Sequence, residues 1–437
     1  MNTSNTCQAK SSRGAALFWT TLAFFGGFAG VSAFGPIVSQ IKTGLGMNPM
    51  LMGLLAASPA LSGSLLRIPF GAMVDRLGGK KPILILLVLA AAGIAGITTM
   101  FRFYPSPEPA HYPILLIFGV LCGCGIAVFS VGVPTVSYWY PQKRQGSALA
   151  IYAGLGNLAP GLFAMLLPYL VAVFGFTSAY VLWLGGLVAL IFFLLAMMKD
   201  APYFQYREMG IDIDPDALLH VCGQELMPSG TAMQSLRKAA SDNRTWILTA
   251  LYFVSFGGFI ALTVWLPTYW SESFQFGPVK AGGLTALYAL SASLLRVAGG
   301  YGADRWGGER VTLAAFTIVG AGALVMALAE STLIAVFGEI LLALGMGVAN
   351  AAVFKLVPKY SPAAVGGAAG IVGGLGAFGG FVIPLFMGLF VKVLGNAGYA
   401  QGFLLFLAMG IAAVLLVGLL MRQSPNRMQE TVPSRSN

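Results

Sequence analysis

Long unbroken apolar runs restrict this chain more than any other feature. From about residue 15 to about residue 422, segments of roughly 20 or more residues follow one another with few charges between their ends; Ser178 to Met198 has none. About 20 apolar residues in a helix cross a ~30 Å hydrocarbon core. In lipid every backbone polar group must find its partner internally, so only helices and closed barrels span. The runs do not alternate apolar with polar residues, which argues against a barrel. Charged residues make up 9% of the chain, against roughly 25% in a soluble domain, so most of its surface does not face water. The 57 glycines suit closely packed membrane helices.

The runs predict twelve spans, at 15–38, 50–73, 82–101, 112–138, 145–171, 178–198, 246–270, 281–303, 310–329, 332–357, 365–392 and 399–422. The expected fold is an all-α membrane protein with two six-helix bundles, residues 1–198 and 246–437. A cytoplasmic linker, 199–245, joins them, with a surface helix around Gln234–Ala240. Charge tests the layout. Of the 25 lysines and arginines, Arg67, Arg296 and Lys355 fall inside spans, and Lys42, Arg102, Lys280 and Lys392 fall on one side. The other 18 fall on the opposite side. That bias marks the basic side as the cytoplasm and puts both termini there, in a multi-pass protein of the plasma (inner) membrane. The net charge of +10 therefore reports topology, and no nucleic-acid partner is expected. The run after Gly14 is too long for a signal-peptide core and reads as a retained first span.

The halves repeat each other. Gly26-Gly27-Phe28 and Pro36 recur as Gly257-Gly258-Phe259 and Pro267. Ser64-Leu65-Leu66-Arg67 recurs as Ser293-Leu294-Leu295-Arg296, and Asp75-Arg76-Leu77-Gly78-Gly79 as Asp304-Arg305-Trp306-Gly307-Gly308. Six helices separate the copies, so the repeat is parallel, and such repeats hold a substrate at their interface near the midplane. That makes the chain a mover of small solutes. Metal and cofactor chemistry find no support. Cys7, Cys122, Cys124 and Cys222 form no CxxC pair, and His220 with Cys222 lacks a second ligand pair. Cys122 and Cys124 read as buried structural thiols, and His111 as a solvated loop residue.

Arg67 and Arg296 carry the strongest chemical signal. Arg67 lies eight residues before Asp75, about 12 Å along a helix, too deep to snorkel comfortably. Arg296 repeats that placement. A charge at such depth costs several kcal/mol and usually faces a cavity with a partner. Glu339 is the only carboxylate inside the spans, near the far end of the tenth, and it cannot neutralise both. A substrate anion is the expected partner, with backbone carbonyls as the alternative. Guanidinium is planar, forked and permanently charged, which suits a small flat oxyanion. Tyr252 and Phe256 are four apart and share a helix face. Their aromatic wall would exclude water, and the Tyr252 hydroxyl could donate to an oxyanion.

Gly71-Ala72-Met73-Val74-Asp75-Arg76-Leu77-Gly78-Gly79-Lys80-Lys81 resembles the loop between the second and third spans of the major facilitator superfamily. Gly302-Ala303-Asp304-Arg305-Trp306-Gly307-Gly308 is its degenerate copy. The resemblance implies the major facilitator fold and gating roles for Asp75, Arg76, Asp304 and Arg305, with Lys355 in the inner vestibule. Within that superfamily the chain resembles the nitrate/nitrite porters. Arg67 and Arg296 match the pair that clamps the anion. Gly154-Leu155-Gly156-Asn157-Leu158-Ala159-Pro160-Gly161 and Gly370-Ile371-Val372-Gly373-Gly374-Leu375-Gly376 match the family's glycine-rich signatures. Phe129, Tyr252 and Phe256 match its site aromatics. Pro160 and the run Tyr138-Trp139-Tyr140 depart from its pattern.

The resemblance implies a substrate site of Arg67, Arg296, Tyr252, Phe129, Phe256, Asn157, Gly154 and Gly374, and a monomeric carrier that exchanges nitrate for nitrite in nitrate assimilation. Competing expectations are proton-coupled nitrate uptake, nitrite export, carriage of another small anion such as formate, and a transporter-like sensor. The absence of histidine clusters and paired intramembrane carboxylates argues against an enzyme.

Overall fold

The computed structural model describes residues 7, 10–211, 215–228 and 232–422. The terminal segment before Cys7 and the tail with Arg427 and Arg435 lie outside them. Among the described residues eleven helical stretches are long and apolar enough to span a bilayer. They are α1 (Arg13–Ile41), α2 (Pro49–Leu77), α3 (Lys80–Phe103), α4 (Pro109–Trp139), the stretch Gln142–Met197, α7 (Asn243–Ser273), α8 (Pro278–Trp306), α9 (Gly308–Ala327), α10 (Thr332–Tyr360), α11 (Val365–Leu394) and α12 (Ala397–Arg422). Gln142–Met197 is two spans, α5 (142–174) and α6 (176–197). Gly175 interrupts it at φ 78°, ψ 167°, a conformation that favours glycine. The Phe176 ring then stacks on Phe101 at the end of α3, and the Leu195 carbonyl accepts from Lys80 Nζ at the start of α3. The chain thus crosses twelve times, as the apolar runs predict.

Local chemistry sets the ends. Asn48 caps α2 by accepting from Leu51 N, and Pro49 supplies a preset first turn. Ser12 caps α1 by accepting from Ala15 N. His111 Nδ1 accepts from Glu108 N in the turn that starts α4, with its ring against Tyr104.

Several spans break regularity near mid-height. α1 tightens into 3-10 turns at Ala29–Ser32 and Gly35–Ile37, and α4 does so at Cys124–Ala127. α2 is interrupted at Leu66, so that Arg67 opens its second segment. α7 widens into a π-helical turn at Phe253–Gly257. Such turns free backbone and re-aim side chains, and they are tolerated at membrane depth where protein buries them.

Contacts between the first six and last six spans concentrate on the face away from the Asp75 and Asp304 loops, through α2 against α11 and α5 against α8. There a Cβ on Gly53 would meet the Pro384 carbonyl at 2.6 Å, and one on Gly388 the Pro49 carbonyl at 2.7 Å. Lys42 Nζ pairs with Glu272 at 2.6 Å across the two sets. The molecule is therefore closed on that face, opposite the basic one.

On the basic face the linker runs through helices Pro202–Glu208, Pro215–Cys222 and Ala232–Ala240. The last matches the surface helix expected there and packs on α11, where Gly367 N donates to Ser235 Oγ at 3.0 Å. Asp200 accepts from Gly79 N and Lys80 N at 2.6 and 2.9 Å. Burial pushes its carboxyl above the ordinary aspartate value while those bonds hold it back. Cys7 and Cys222 form a disulfide, a pairing that sequence spacing did not suggest. Cys122 and Cys124 are free and buried, as expected.

Candidate anion site

Arg67 is fully buried and Arg296 half-buried. Both guanidinium groups address the same two rings. The Arg67 guanidinium carbon lies 4.9 Å from the centroids of both Phe129 and Phe256, and that of Arg296 lies 5.9 and 5.7 Å from them. The two rings are 6.1 Å apart. Two positive charges thus sit beside one aromatic pair, one contributed by each half. Cation–π attraction offsets part of their burial, by roughly 0.5–2 kcal/mol each, well short of the cost of an unpaired buried charge.

Hydrogen bonding leaves them incomplete. Arg67 Nη1 donates to the Gly373 carbonyl at 3.0 Å, while its Nε and Nη2 make no hydrogen bond with the protein, nor does Nη1 of Arg296. The carbonyl alternative for the arginines therefore holds for one nitrogen of Arg67. The Tyr252 hydroxyl and the Asn157 side-chain oxygen are likewise buried without a hydrogen-bond partner. Tyr252 stacks on Phe256 at 5.1 Å and leans on Phe354 at 5.3 Å. Asn157 stands at the joint between two helical segments of α5, and its carbonyl accepts from Ser293 on α8 at 2.9 Å.

Two glycines seat the rings. A Cβ on Gly376 would lie 2.7 Å from Tyr252 Cδ1, and one on Gly156 would run into the Phe24 ring. The glycines singled out from sequence behave differently. Gly374 is confined, with Ile68 Cγ1 2.9 Å from its would-be Cβ. Gly154 would make only an ordinary 3.9 Å contact with Val297.

Sequence reasoning missed the supporting aromatics Phe24, Phe28 and Tyr152. Phe24 contacts Phe28, Phe129 and Tyr152, and Phe28 stacks on Phe256 at 6.2 Å. The Tyr152 hydroxyl donates to the carbonyls of Val128 and Phe129 at 3.0 Å. The available signal was Phe24 and Phe28 sharing a helix face beside Gly26-Gly27. Also missed were Ser255, on the π-helical turn, and Asn350, both buried with an unpartnered side-chain oxygen.

The residues expected to gate lie apart from this site on the basic face. Asp75 accepts from the Tyr138 hydroxyl at 2.6 Å, so the run that departs from the family pattern supplies its partner. Arg76 is exposed, and its carbonyl accepts from Arg207 at 3.2 Å. Lys355 pairs with Asp304, and Arg305 lies over the Trp306 ring at 5.7 Å. None of these contacts joins one half to the other. Glu339 is fully buried toward the closed face, with the Trp270 indole facing it, and neither carboxylate oxygen makes a full hydrogen bond.

Comparisons with known proteins identify the fold and the family. The profile described as Major Facilitator Superfamily matches residues 20–338 and 252–436. A Mycobacterium tuberculosis protein named probable nitrate/nitrite transporter NarK2 is 31% identical over 393 residues, covering 89% of this chain and 92% of its own length. A Thermus thermophilus protein named probable nitrate/nitrite antiporter NarK1 is 31% identical, with 84% and 83% covered. The nitrite extrusion protein of Bacillus subtilis is 28% identical, with 91% and 92% covered. Among solved structures, the xylose transporter XylE from E. coli, in a partially occluded inward open conformation, superposes with a TM-score of 0.71 at 14% identity, covering 98% of this chain and all of that one. A bacterial homologue of the human lysosomal transporter Spinster, inward-facing and occupied, gives 0.66 at 15% identity, with 95% and 98% covered.

Proposed function

This chain belongs to the nitrate/nitrite porter family of the major facilitator superfamily, and from that premise we propose that it exchanges nitrate for nitrite by alternating access. It is a multi-pass membrane transporter and not an enzyme. The observation that carries the substrate reading is the pair of guanidinium groups, Arg67 and Arg296, sharing Phe129 and Phe256 while three of their nitrogens lack protein hydrogen bonds. Nitrate and nitrite are flat, monovalent and rich in acceptors. They fit between planar forks and bring the charge that the site lacks. The Phe walls exclude water and strengthen the contact, and Tyr252 is placed to donate to an oxygen. Gly374 holds α11 against α2 beside the site. Gly154 has the weakest claim to a role.

The moving units are residues 1–198 and 246–437, and residues 199–245 link them. The plasma membrane, with both termini on its cytoplasmic side, is the proposed location, and the monomer the working unit. With the outer face packed and Asp75 bonded to Tyr138 of its own half, the conformation corresponds to an inward-facing carrier. Empty, the two arginines repel each other as the site closes; an anion removes that repulsion. The loaded carrier therefore reorients faster than the empty one, which produces exchange.

A second reading, proton-coupled uptake, draws on one observation: the buried, incompletely bonded Glu339. Reconstituted protein separates the two. Exchange requires labelled nitrate uptake to depend on internal nitrite without a pH gradient, and to survive Glu339→Gln. Uptake that ignores internal nitrite and is abolished in Glu339→Gln would replace exchange by proton symport, and no uptake with either gradient would reject the anion.

A further inference from the structure

Cys7 and Cys222 lie 215 residues apart in sequence and are bonded to each other. They line a cleft of about 220 Å3 on the basic face, together with Arg13, Tyr138 and Gln224. Cys7 is exposed and Cys222 half-buried, unlike the buried Cys122 and Cys124. Arg13 Nη2 donates to the carbonyl of Gly223, the residue after Cys222, at 2.9 Å. Lys10 N donates to Gln205 Oε1 at 2.8 Å, and Gln205 Nε2 returns a bond to the Lys10 carbonyl at 3.0 Å. An accessible cysteine that shares a cleft with a fixed cation, here Arg13, is biased toward the thiolate, the reactive form. If the basic face is cytoplasmic, the surrounding glutathione pool is reducing, and disulfides found there are typically transient or redox-sensing.

The linker shows what the bond would restrain. Its first part is held on the first six spans. Lys81 pairs with Glu208 at 2.9 Å and Gln142 N donates to Glu225 at 2.8 Å; within the linker itself Tyr203 N donates to Gln224 at 2.9 Å. Its last helix, Ala232–Ala240, belongs with α11. The crossing between the halves is thus the short stretch after Glu225. The polar ties before it are mostly exposed, and exposed ties open readily. The disulfide anchors Pro215–Cys222 even when they open. Reduction would roughly double the free tether, which shifts a loop-closure equilibrium about threefold. The cleft also holds Tyr138, whose hydroxyl donates to the gate residue Asp75.

We propose that Cys7 and Cys222 are a reversible thiol–disulfide modification site for low-molecular-mass disulfides on the inner side, and that oxidation shortens the tether between the halves and slows the carrier. The proposal rests on the inward-facing carrier reading above. One cysteine thiolate attacks the external disulfide and expels one thiolate. The second cysteine thiolate attacks the resulting mixed disulfide at the protein sulfur and expels the other. Two protein thiols are oxidised, one external disulfide is reduced to two thiols, and the two cysteine protons end on those leaving groups.

The test takes full-length protein in proteoliposomes through a series of reduced and oxidised glutathione mixtures applied to the basic face. Alkylation mass shifts read the pair, hydrogen exchange reads residues 215–228, and labelled nitrate reads transport. The expected result is reversible oxidation of the pair, slower hydrogen exchange over 215–228 and anion exchange slowed about threefold. Cys7→Ser and Cys222→Ser should keep the reduced rate in every mixture. A pair that never oxidises, or oxidises without changing hydrogen exchange or transport, overturns the proposal. So does a pair that responds only to glutathione on the opposite face. Oxidation with slowed hydrogen exchange, but no transport in either state, supports the thiol site and rejects the carrier reading.

Discussion

At the residue scale the molecule turns on what a guanidinium can do that an ammonium cannot. Arg67 spends one nitrogen on the Gly373 carbonyl and keeps Nε and Nη2 without protein partners. A lysine there or at position 296 would keep the charge and lose the fork. Arg296→Lys is expected to weaken nitrate binding about 10–100-fold, the effect of losing roughly 1.5–3 kcal/mol of charge-assisted hydrogen bonding. Calorimetric titration of the purified variant checks this; unchanged affinity would mean Arg296 does not touch the anion. The depth and pairing of the arginines were legible from spacing alone, because a charge about 12 Å up the helix from the loop aspartate has few explanations. Their common aromatic neighbours were legible only through the family resemblance. Phe24 and Phe28 offered only their shared helix face beside Gly26-Gly27 and Tyr152 offered no signal, because an aromatic residue in an apolar run looks the same whether it faces lipid or a site.

At the element scale, irregular turns and glycines decide where those side chains point. The π-helical turn Phe253–Gly257 follows Tyr252 and contains Phe256, and Gly376 of α11 gives Tyr252 its space. Gly376→Ala would set a methyl group 2.8 Å from Tyr252 Cβ and 3.2 Å from its backbone carbonyl carbon. Neither is the end of a flexible chain, so a helix must move. The expected cost is about 1–3 kcal/mol, read as a lower melting temperature together with weaker nitrate binding. A melting temperature equal to the parent's would show that α7 and α11 are less tightly opposed than described. The twelve spans themselves followed from apolar run length and positive-charge bias. Of the breaks, the α1 turn Gly35–Ile37 holds Pro36 and the one at Leu66 stands three residues before Pro69, and each proline removes a backbone donor; the turns in α4 and α7 hold no proline and were not legible.

At the scale of the whole molecule, the two halves are closed against each other on the face opposite the basic loops. The Lys42–Glu272 pair is one fastening there, and its side chains are 35% and 16% exposed. Partly exposed pairs contribute about 0–1 kcal/mol, so Lys42→Met should shift the balance modestly toward the outward-open state. A cysteine introduced at Ile37, buried in α1, should then react about twofold to fivefold faster with an impermeant maleimide. An unchanged rate would assign the closure to α2 and α11 alone. The amino-acid sequence by itself determined that this chain spans a bilayer twelve times as two parallel repeats with a deep arginine in each. Those properties depend on transfer free energy and charge placement, which are local and additive along the chain. Only the tertiary structure decided that both arginines meet at one pair of rings, that Asp75 pairs with Tyr138, and that Cys7 meets Cys222. Each depends on which helix faces become neighbours, and that is settled by close packing among spans far apart in the chain.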